Sequence, residues 1–258
     1  MGYTDHNKFL MFGDSITEYA FNQFPQGCEQ PQYALGAALQ QAYVRKLQVV
    51  QRGFSGYTSR DALPLAKSIL KAEHDDVPES QKIKIAYCFF GTNDARLRGT
   101  SDCNAESIPL DLFLENMKKT VEEFRTRNIP LIVITPGLHD SKLWDSTHPE
   151  DLKTGDYRTN ERNKLYQDKL REAIPEIPMV MLYDVMAEWM RTNSKLGWDD
   201  LSELLYDGIH LSGEGYRLLF NELMSTIKNY YPEVHPDNLE FKFPDSKTLT
   251  EDTFANIE

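Results

Sequence analysis

A chain of 258 residues, 40% of them hydrophobic, is long enough for one domain with a full core, and no repeat or Pro/Gly/Ser-rich linker divides it. The formal net charge of −12 argues against nucleic acid and anionic membranes as partners, because an acidic surface repels both. Apolar runs fall far short of a membrane span, which argues against membrane insertion.

The amino terminus and the cysteines favour the cytoplasm. Residues 1–8 lack the cationic and apolar regions of a signal peptide, so secretion is not expected. Cys28, Cys88 and Cys103 are an odd number of cysteines without paired or metal-binding spacing, which is typical of a reducing compartment. We therefore expect a cytoplasmic protein that acts on a neutral small molecule.

The first predicted strand ends at a serine. Residues 9–12 are four consecutive apolar residues, the pattern of a parallel strand buried on both faces. Gly13 permits a sharp turn, and Asp14 and Ser15 favour turns and helix N-caps. The turn would place Ser15 in the crevice where open α/β folds bind ligands, so it is a candidate nucleophile. Taken alone, however, such a serine more often caps a helix.

Two glycines follow the second predicted strand, residues 47–51. Gly53 and Gly56 would let the backbone approach a ligand and direct its N–H groups into the same crevice. A plain glycine turn fits the pattern as well.

The third predicted strand, residues 83–90, repeats the pattern of the first. It breaks at Gly91 and presents Asn93, whose amide can donate a hydrogen bond to a developing oxyanion. The alternative role of Asn93 is an Asx-turn that closes the loop.

Further periodic segments complete an alternation of strands and helices, which indicates a parallel sheet between two helical layers, a three-layer α/β/α sandwich. We predict a longer polar loop over 136–155, and its histidines match no metal-binding spacing, so no metal site is expected. The remaining predicted segments are strands at 129–135 and 178–183 and helices at about 32–44, 62–70, 110–124, 156–173 and 214–230.

A carboxylate and an imidazole lie close together near the end of the chain. Asp207 and His210 are three residues apart in a glycine-containing loop, so the carboxylate can fix the imidazole tautomer and raise its basicity. A lone loop histidine is usually just exposed, but this pair supplies a candidate base. We assign residues 1–232 to the domain and 233–258 to a tail that packs on the body or on a partner subunit.

Together these blocks resemble the GDSL/SGNH hydrolase superfamily and, within it, the isoamyl acetate-hydrolysing esterases. The resemblance rests on the Gly-Asp-Ser block, Gly56, the Gly-x-Asn-Asp block at 91–94 and the Asp-x-x-His block at 207–210. It spans most of the chain. Ile16 replaces the leucine of the superfamily motif, and the nucleophile is unaffected.

The resemblance implies a flavodoxin-like fold with a five-stranded parallel sheet of order 2-1-3-4-5. It also implies an enzyme that hydrolyses esters of short acyl groups without a cofactor. Ser15 would attack the ester, His210 would take its proton, and Asp207 would stabilise the imidazolium. The backbone N–H groups of Ser15 and Gly56 and the amide of Asn93 would hold the oxyanion.

Specificity is predicted from four aromatic residues near the strand ends, Phe21, Phe24, Phe54 and Tyr57. They would form a small apolar pocket for an acetate ester of a medium apolar alcohol, although each is equally suited to the core. Ser55 is a weak rival nucleophile, because its surroundings miss the Gly-x-Ser-x-Gly pattern by one residue.

Other functions of the superfamily stay open. A sugar deacetylase, a thioesterase and a lysophospholipase are all supported by the resemblance, because a fold does not fix a substrate. A non-catalytic or flavin-binding domain is disfavoured, since the loop after the first strand carries Glu18 and aromatic residues but no cation to match a phosphate. A homodimer is also left open.

Overall fold

One parallel sheet forms the centre of the molecule. The structure is a computed structural model, and it describes residues 5–97, 108–154, 156–242 and 246–252. Within these residues every pair of neighbouring strands is parallel and the order is β2-β1-β3-β4-β5, as predicted. The strands are β1 (Lys8–Gly13), β2 (Gln48–Gly53), β3 (Ile83–Phe89), β4 (Leu131–Ile134) and β5 (Met179–Val180).

Helices cover both faces of this sheet. The α-helices of the described residues are α1 (Ser15–Glu18), α2 (Leu35–Ala42), α3 (Ser59–Leu70), α4 (Leu110–Arg125), α5 (Ser141–Thr147), α6 (Pro149–Thr154), α7 (Asn160–Ala173), α8 (Leu182–Thr192) and α9 (Gly213–Tyr230).

Strand β1 supplies both halves of the core, which explains its continuous apolar sequence. Phe9 and Met11 pack in a cluster with α2, α8 and α9, whereas Leu10 and Phe12 point to the other face and pack with α3, α4 and α7. All four side chains are fully buried. A strand enclosed on both faces has no polar face to alternate with the apolar one.

The strand order reverses between β1 and β3, and this reversal positions the site. Ligands of doubly wound sheets bind in the crevice at such a switch point. A Cβ atom at Gly13 would lie only 2.7 Å from the carbonyl oxygen of Phe89, so glycine allows β1 and β3 to end side by side. The crevice therefore opens where Asp14 and the loop after β3 meet.

Two segments differ most from the sequence prediction. Strand β5 is shorter than predicted, because the apolar residues after Met181 begin α8. Leu182, Met186 and Met190 recur at a spacing of four and bury one helical face, a pattern that the prediction assigned in part to the strand. The polar segment 136–155 contains α5 and α6, and Asp140 caps α5 by accepting a hydrogen bond from the Leu143 N–H at 2.9 Å.

Residues 233–242 contact the body of the molecule. Val234 is buried, and its carbonyl oxygen accepts a hydrogen bond from the Tyr43 hydroxyl at 3.0 Å. The Lys242 N–H donates to the Arg45 carbonyl at 2.8 Å. The division into residues 1–232 and 233–258 stays a prediction. No helix among the described residues is long and apolar enough to span a membrane.

Candidate active site

Ser15 lies at the first position of α1, directly after β1. Asp14 is the N-cap and accepts a hydrogen bond from the Ile16 N–H at 3.0 Å. Other elements hold the carbonyl groups of this short helix. Tyr216 of α9 donates its hydroxyl to the Ile16 carbonyl at 2.7 Å, and Gln51 donates its amide to the Thr17 carbonyl at 3.2 Å. The serine is therefore fixed by three parts of the fold.

The structure brings Ser15, His210 and Asp207 together. The Oγ atom of Ser15 lies 2.9 Å from Nε2 of His210, and Nδ1 of His210 lies 2.6 Å from Oδ2 of Asp207. The other oxygen of Asp207 accepts the N–H groups of Ile209 at 3.0 Å and His210 at 2.8 Å. A proton on Nδ1 satisfies the carboxylate and leaves Nε2 free to accept the serine proton.

Asp207 stays ionised at neutral pH. Burial by itself raises the pKa of this carboxyl, but the hydrogen bond and charge of His210 and the two backbone N–H groups outweigh it and lower the pKa below its ordinary value. The acid is thus suited to stabilise a positive imidazolium.

A second histidine holds the loop that carries this pair. Gly208 has a φ of +97°, and its carbonyl oxygen accepts hydrogen bonds from the Asp140 N–H at 2.9 Å and from Nδ1 of His139 at 2.8 Å. Burial lowers the pKa of His139 to about 4, so the ring is neutral and Nδ1 carries the donated proton. No sequence pattern predicts this contact, since residues 139 and 208 are far apart along the chain.

The predicted oxyanion donors line the same cavity as Ser15. This cavity has a volume of about 360 Å³, and Gly56, Asn93 and His210 all contribute to its wall. Asn93 donates one amide N–H to the Tyr57 carbonyl at 3.0 Å, and Gly56 has a φ of +79°, which favours glycine. An amide nitrogen has two N–H groups, so Asn93 has a second one to offer to a ligand.

The four aromatic residues predicted to form a pocket are not brought to this cavity. Phe24 is 59% exposed, Phe21 and Tyr57 are also exposed, and Phe54 packs partly against the core and stacks on Tyr57. The cavity wall is instead largely polar. Besides the residues already named it includes Tyr19, Ser55, Thr58, Arg60, Asp61, Arg96, Trp144, Arg158 and Ile209.

Trp144 reaches this wall from α5, so the segment 136–155 shapes the cavity. Its indole N–H donates to Asp151 at 2.8 Å, and its ring stacks on His148 with centroids 3.6 Å apart. The sequence prediction named none of the residues of this segment as part of the site, because their approach depends on how α5 folds back over the sheet.

Ser55, the rival nucleophile, lies at the cavity, and its hydroxyl has no imidazole partner among the described residues. Its hydroxyl donates to the Tyr19 hydroxyl at 3.2 Å, and its N–H donates to the Glu18 carboxylate at 2.5 Å. The imidazole of His210 contacts Ser15 instead. Among the described residues no group of side chains is arranged to hold a metal ion.

Two buried carboxyl groups lie beneath the site. Burial raises the pKa of Asp14 to about 7 and that of Asp94 to about 6. Asp94 accepts the Ser59 N–H with both oxygens, at 3.0 and 3.1 Å, but one oxygen of Asp14 has no hydrogen-bond partner among the described residues.

Comparison with known families decides the class of the protein, because a GDSL-like lipase/acylhydrolase family model matches residues 11–218. The chain belongs to the GDSL-like lipase/acylhydrolase family. The family assignment makes it a carboxylic ester hydrolase, as the resemblance implied.

Named relatives of this GDSL-like hydrolase match most of its length. An isoamyl acetate-hydrolyzing esterase of Saccharomyces cerevisiae is 39% identical over 250 residues, covering 96% of this chain and 97% of the relative. An isoamyl acetate-hydrolyzing esterase 1 homolog of Homo sapiens is 30% identical over 225 residues, covering 86% of this chain and 81% of the relative.

Solved structures of other esterases share the fold of this GDSL-like hydrolase. The acetyl xylan esterase AlAXEase superposes with a TM-score of 0.61 at 18% identity, covering 85% of this chain and 99% of the other. A catalytic mutant of an acetylxylan esterase from Geobacillus stearothermophilus superposes with a TM-score of 0.55 at 21% identity, covering 88% and 95% of the two chains.

Proposed function

We propose that the protein is a serine esterase that hydrolyses short-chain esters, acetates above all, through an acyl-enzyme. The observation that carries the proposal is the continuous series of contacts from Ser15 Oγ through His210 to Asp207, at 2.9 and 2.6 Å. The named relatives that hydrolyse isoamyl acetate support acetate as the acyl group.

In the first half of the reaction, Ser15 Oγ attacks the ester carbonyl carbon as Nε2 of His210 takes its proton. Asp207 stabilises the imidazolium that forms. The negative oxygen of the tetrahedral intermediate is held by the N–H groups of Ser15 and Gly56 and by the Asn93 amide. His210 then protonates the departing alcohol, and the acetyl group remains on Ser15.

In the second half, His210 takes a proton from the water that attacks the acetyl-serine carbonyl, and then returns that proton to Ser15 Oγ as the bond to the acyl group breaks and acetate leaves. Every group in this scheme comes from one chain, so the site needs no second subunit. The cytoplasmic location and the homodimer considered from the sequence stay predictions.

Kinetics with acetyl, butyryl and octanoyl esters test the proposal. We expect acetyl esters to be cleaved fastest. Ser15→Ala should lower kcat by at least about 1000-fold. Ser55→Ala is the matched control, since it removes a hydroxyl from the same cavity, and it should keep most of the activity. A fully active Ser15→Ala protein would contradict the proposal.

A further inference from the structure

Arg158 carries a buried charge beside the candidate nucleophile. Its side chain precedes α7, is only 7% exposed and lines the cavity that Ser15 lines. Burial lowers the pKa of Arg158 to about 10, so the guanidinium is still protonated at neutral pH.

Among the described residues no carboxylate pairs directly with this charge, although Asp151, Asp14 and Asp156 attract it from a greater distance. One terminal nitrogen of Arg158 donates to the side-chain amide oxygen Oδ1 of Asn93 at 3.4 Å, and the guanidinium carbon lies 5.1 Å from the centre of the Trp144 ring. The Nε atom is buried without a hydrogen-bond partner among the described residues, and within that part of the chain Arg158 forms no ion pair.

The neighbouring Arg96, in contrast to Arg158, has carboxylate partners. It lines the same cavity but pairs with Asp151 at 3.0 Å and with Asp156 at 2.8 Å. The positive charge at Arg158 also contrasts with the net charge of −12 of the whole chain.

A buried charge without a partner is costly, and a ligand of opposite charge removes that cost. A carboxylate fits one guanidinium in both charge and shape. We propose that the cavity accepts acetate esters whose alcohol part carries a carboxylate, and that Arg158 binds this carboxylate.

The inference rests on the proposed esterase function and narrows its substrate class. The acetyl group is too small to carry the anion, so the anion belongs to the alcohol. Because Arg158 contacts the same Asn93 amide that is proposed to face the oxyanion, a short linker separates the ester from the carboxylate. The polar wall around Arg158 suits such an alcohol better than the apolar alcohol expected from the sequence.

Two esters that differ only in this charge test the inference, 4-acetoxybutanoate and its neutral amide 4-acetoxybutanamide. We expect the wild-type protein to prefer the carboxylate by about 10-fold or more in kcat/KM, because one charge-assisted hydrogen bond is strong enough to give a preference of this size. Arg158→Gln should bring this ratio to about one, and Arg158→Lys should retain part of it. Arg191→Gln is the matched control, because Arg191 is exposed on α8 and pairs with Glu188, and its ratio should equal that of the wild type.

Binding measured without turnover gives a second readout. Calorimetry on Ser15→Ala should show that 4-acetoxybutanoate binds more tightly than the amide, and that adding Arg158→Gln removes the difference. Equal rates for both esters in the wild type would overturn this inference and leave the esterase intact. An unchanged ratio in a folded Arg158→Gln protein would also overturn it. A wild type that cleaves neither these esters nor simple acetates would overturn the proposed function as well.

Discussion

At the scale of single residues, the amide of Asn93 is fixed on both sides. It donates to the Tyr57 carbonyl at 3.0 Å, and its oxygen lies 3.4 Å from Arg158. These contacts leave one N–H group to face the cavity. A donor held in place before the reaction stabilises the oxyanion without reorganising, which is why such donors have large effects on rate.

Replacing this donor should therefore lower the rate and leave binding of the ester in the ground state nearly unchanged. We expect Asn93→Ala to reduce kcat by about 100- to 1000-fold, measured with an acetyl ester. Asn116→Ala is the control, because Asn116 donates its amide to the Ser59 hydroxyl at 3.1 Å, away from the cavity wall. A kcat within about threefold of the wild type would remove Asn93 from the oxyanion hole.

At the scale of elements, the nucleophile depends on how closely α1 and β2 approach. A Cβ atom at Gly53 would overlap the backbone nitrogen of Glu18 and lie 2.6 Å from the Thr17 carbonyl carbon. The glycine at the end of β2 thus lets the helix that carries Ser15 pack against the strand. This packing role differs from the ligand approach that the sequence suggested for Gly53.

Gly53→Ala should accordingly reduce both stability and activity. We expect the free energy of unfolding to fall by about 1 to 3 kcal/mol and kcat to fall with it, because α1 must shift. Gly27→Ala adds a methyl group that meets nothing within 4 Å, at a φ of +85°, so it should cost stability alone. Urea unfolding and ester hydrolysis on both variants provide the measurement. Wild-type kcat in Gly53→Ala would contradict this account.

The sequence predicted those elements whose pattern is local. The apolar run of β1, its glycine and the Asp207–His210 spacing all carry their signal within a few residues. Helix α8 was missed because its first apolar residues continue the run of β5. The cavity wall was predicted incompletely, since only the tertiary fold brings Trp144 and Arg158 to the cavity that Ser15 lines.

At the scale of the whole molecule, stability is linked to the buried carboxyls under the site. The pKa of Asp14 is raised to about 7 by burial, against an ordinary value of 3.8. Between these two values the unfolded chain releases the proton and the folded chain keeps it. In this pH range the folded state binds more protons than the unfolded state. The contribution of Asp14 to the free energy of unfolding is therefore present below about pH 4 and is lost as the pH rises through about 7.

Asp14→Asn should remove this part of the pH dependence. The amide can still accept the Ile16 N–H but does not ionise. Between pH 4 and 8 the free energy of unfolding should therefore fall by about 2 to 4 kcal/mol less in the variant than in the wild type. Urea unfolding at several pH values measures the difference. Asp200→Asn, at an exposed site, is the control and should follow the wild type. Identical pH dependence in Asp14→Asn and wild type would show that Asp14 ionises normally.

The central claim, that Ser15 is the nucleophile, is tested most directly by covalent labelling. An alkyl fluorophosphonate reacts with a serine that an adjacent base activates, and peptide mass spectrometry identifies the modified residue. We predict a single adduct on Ser15 that is absent from Ser15→Ala and from His210→Ala. An adduct on Ser55, or equal labelling of Ser15→Ala and the wild type, would contradict the account.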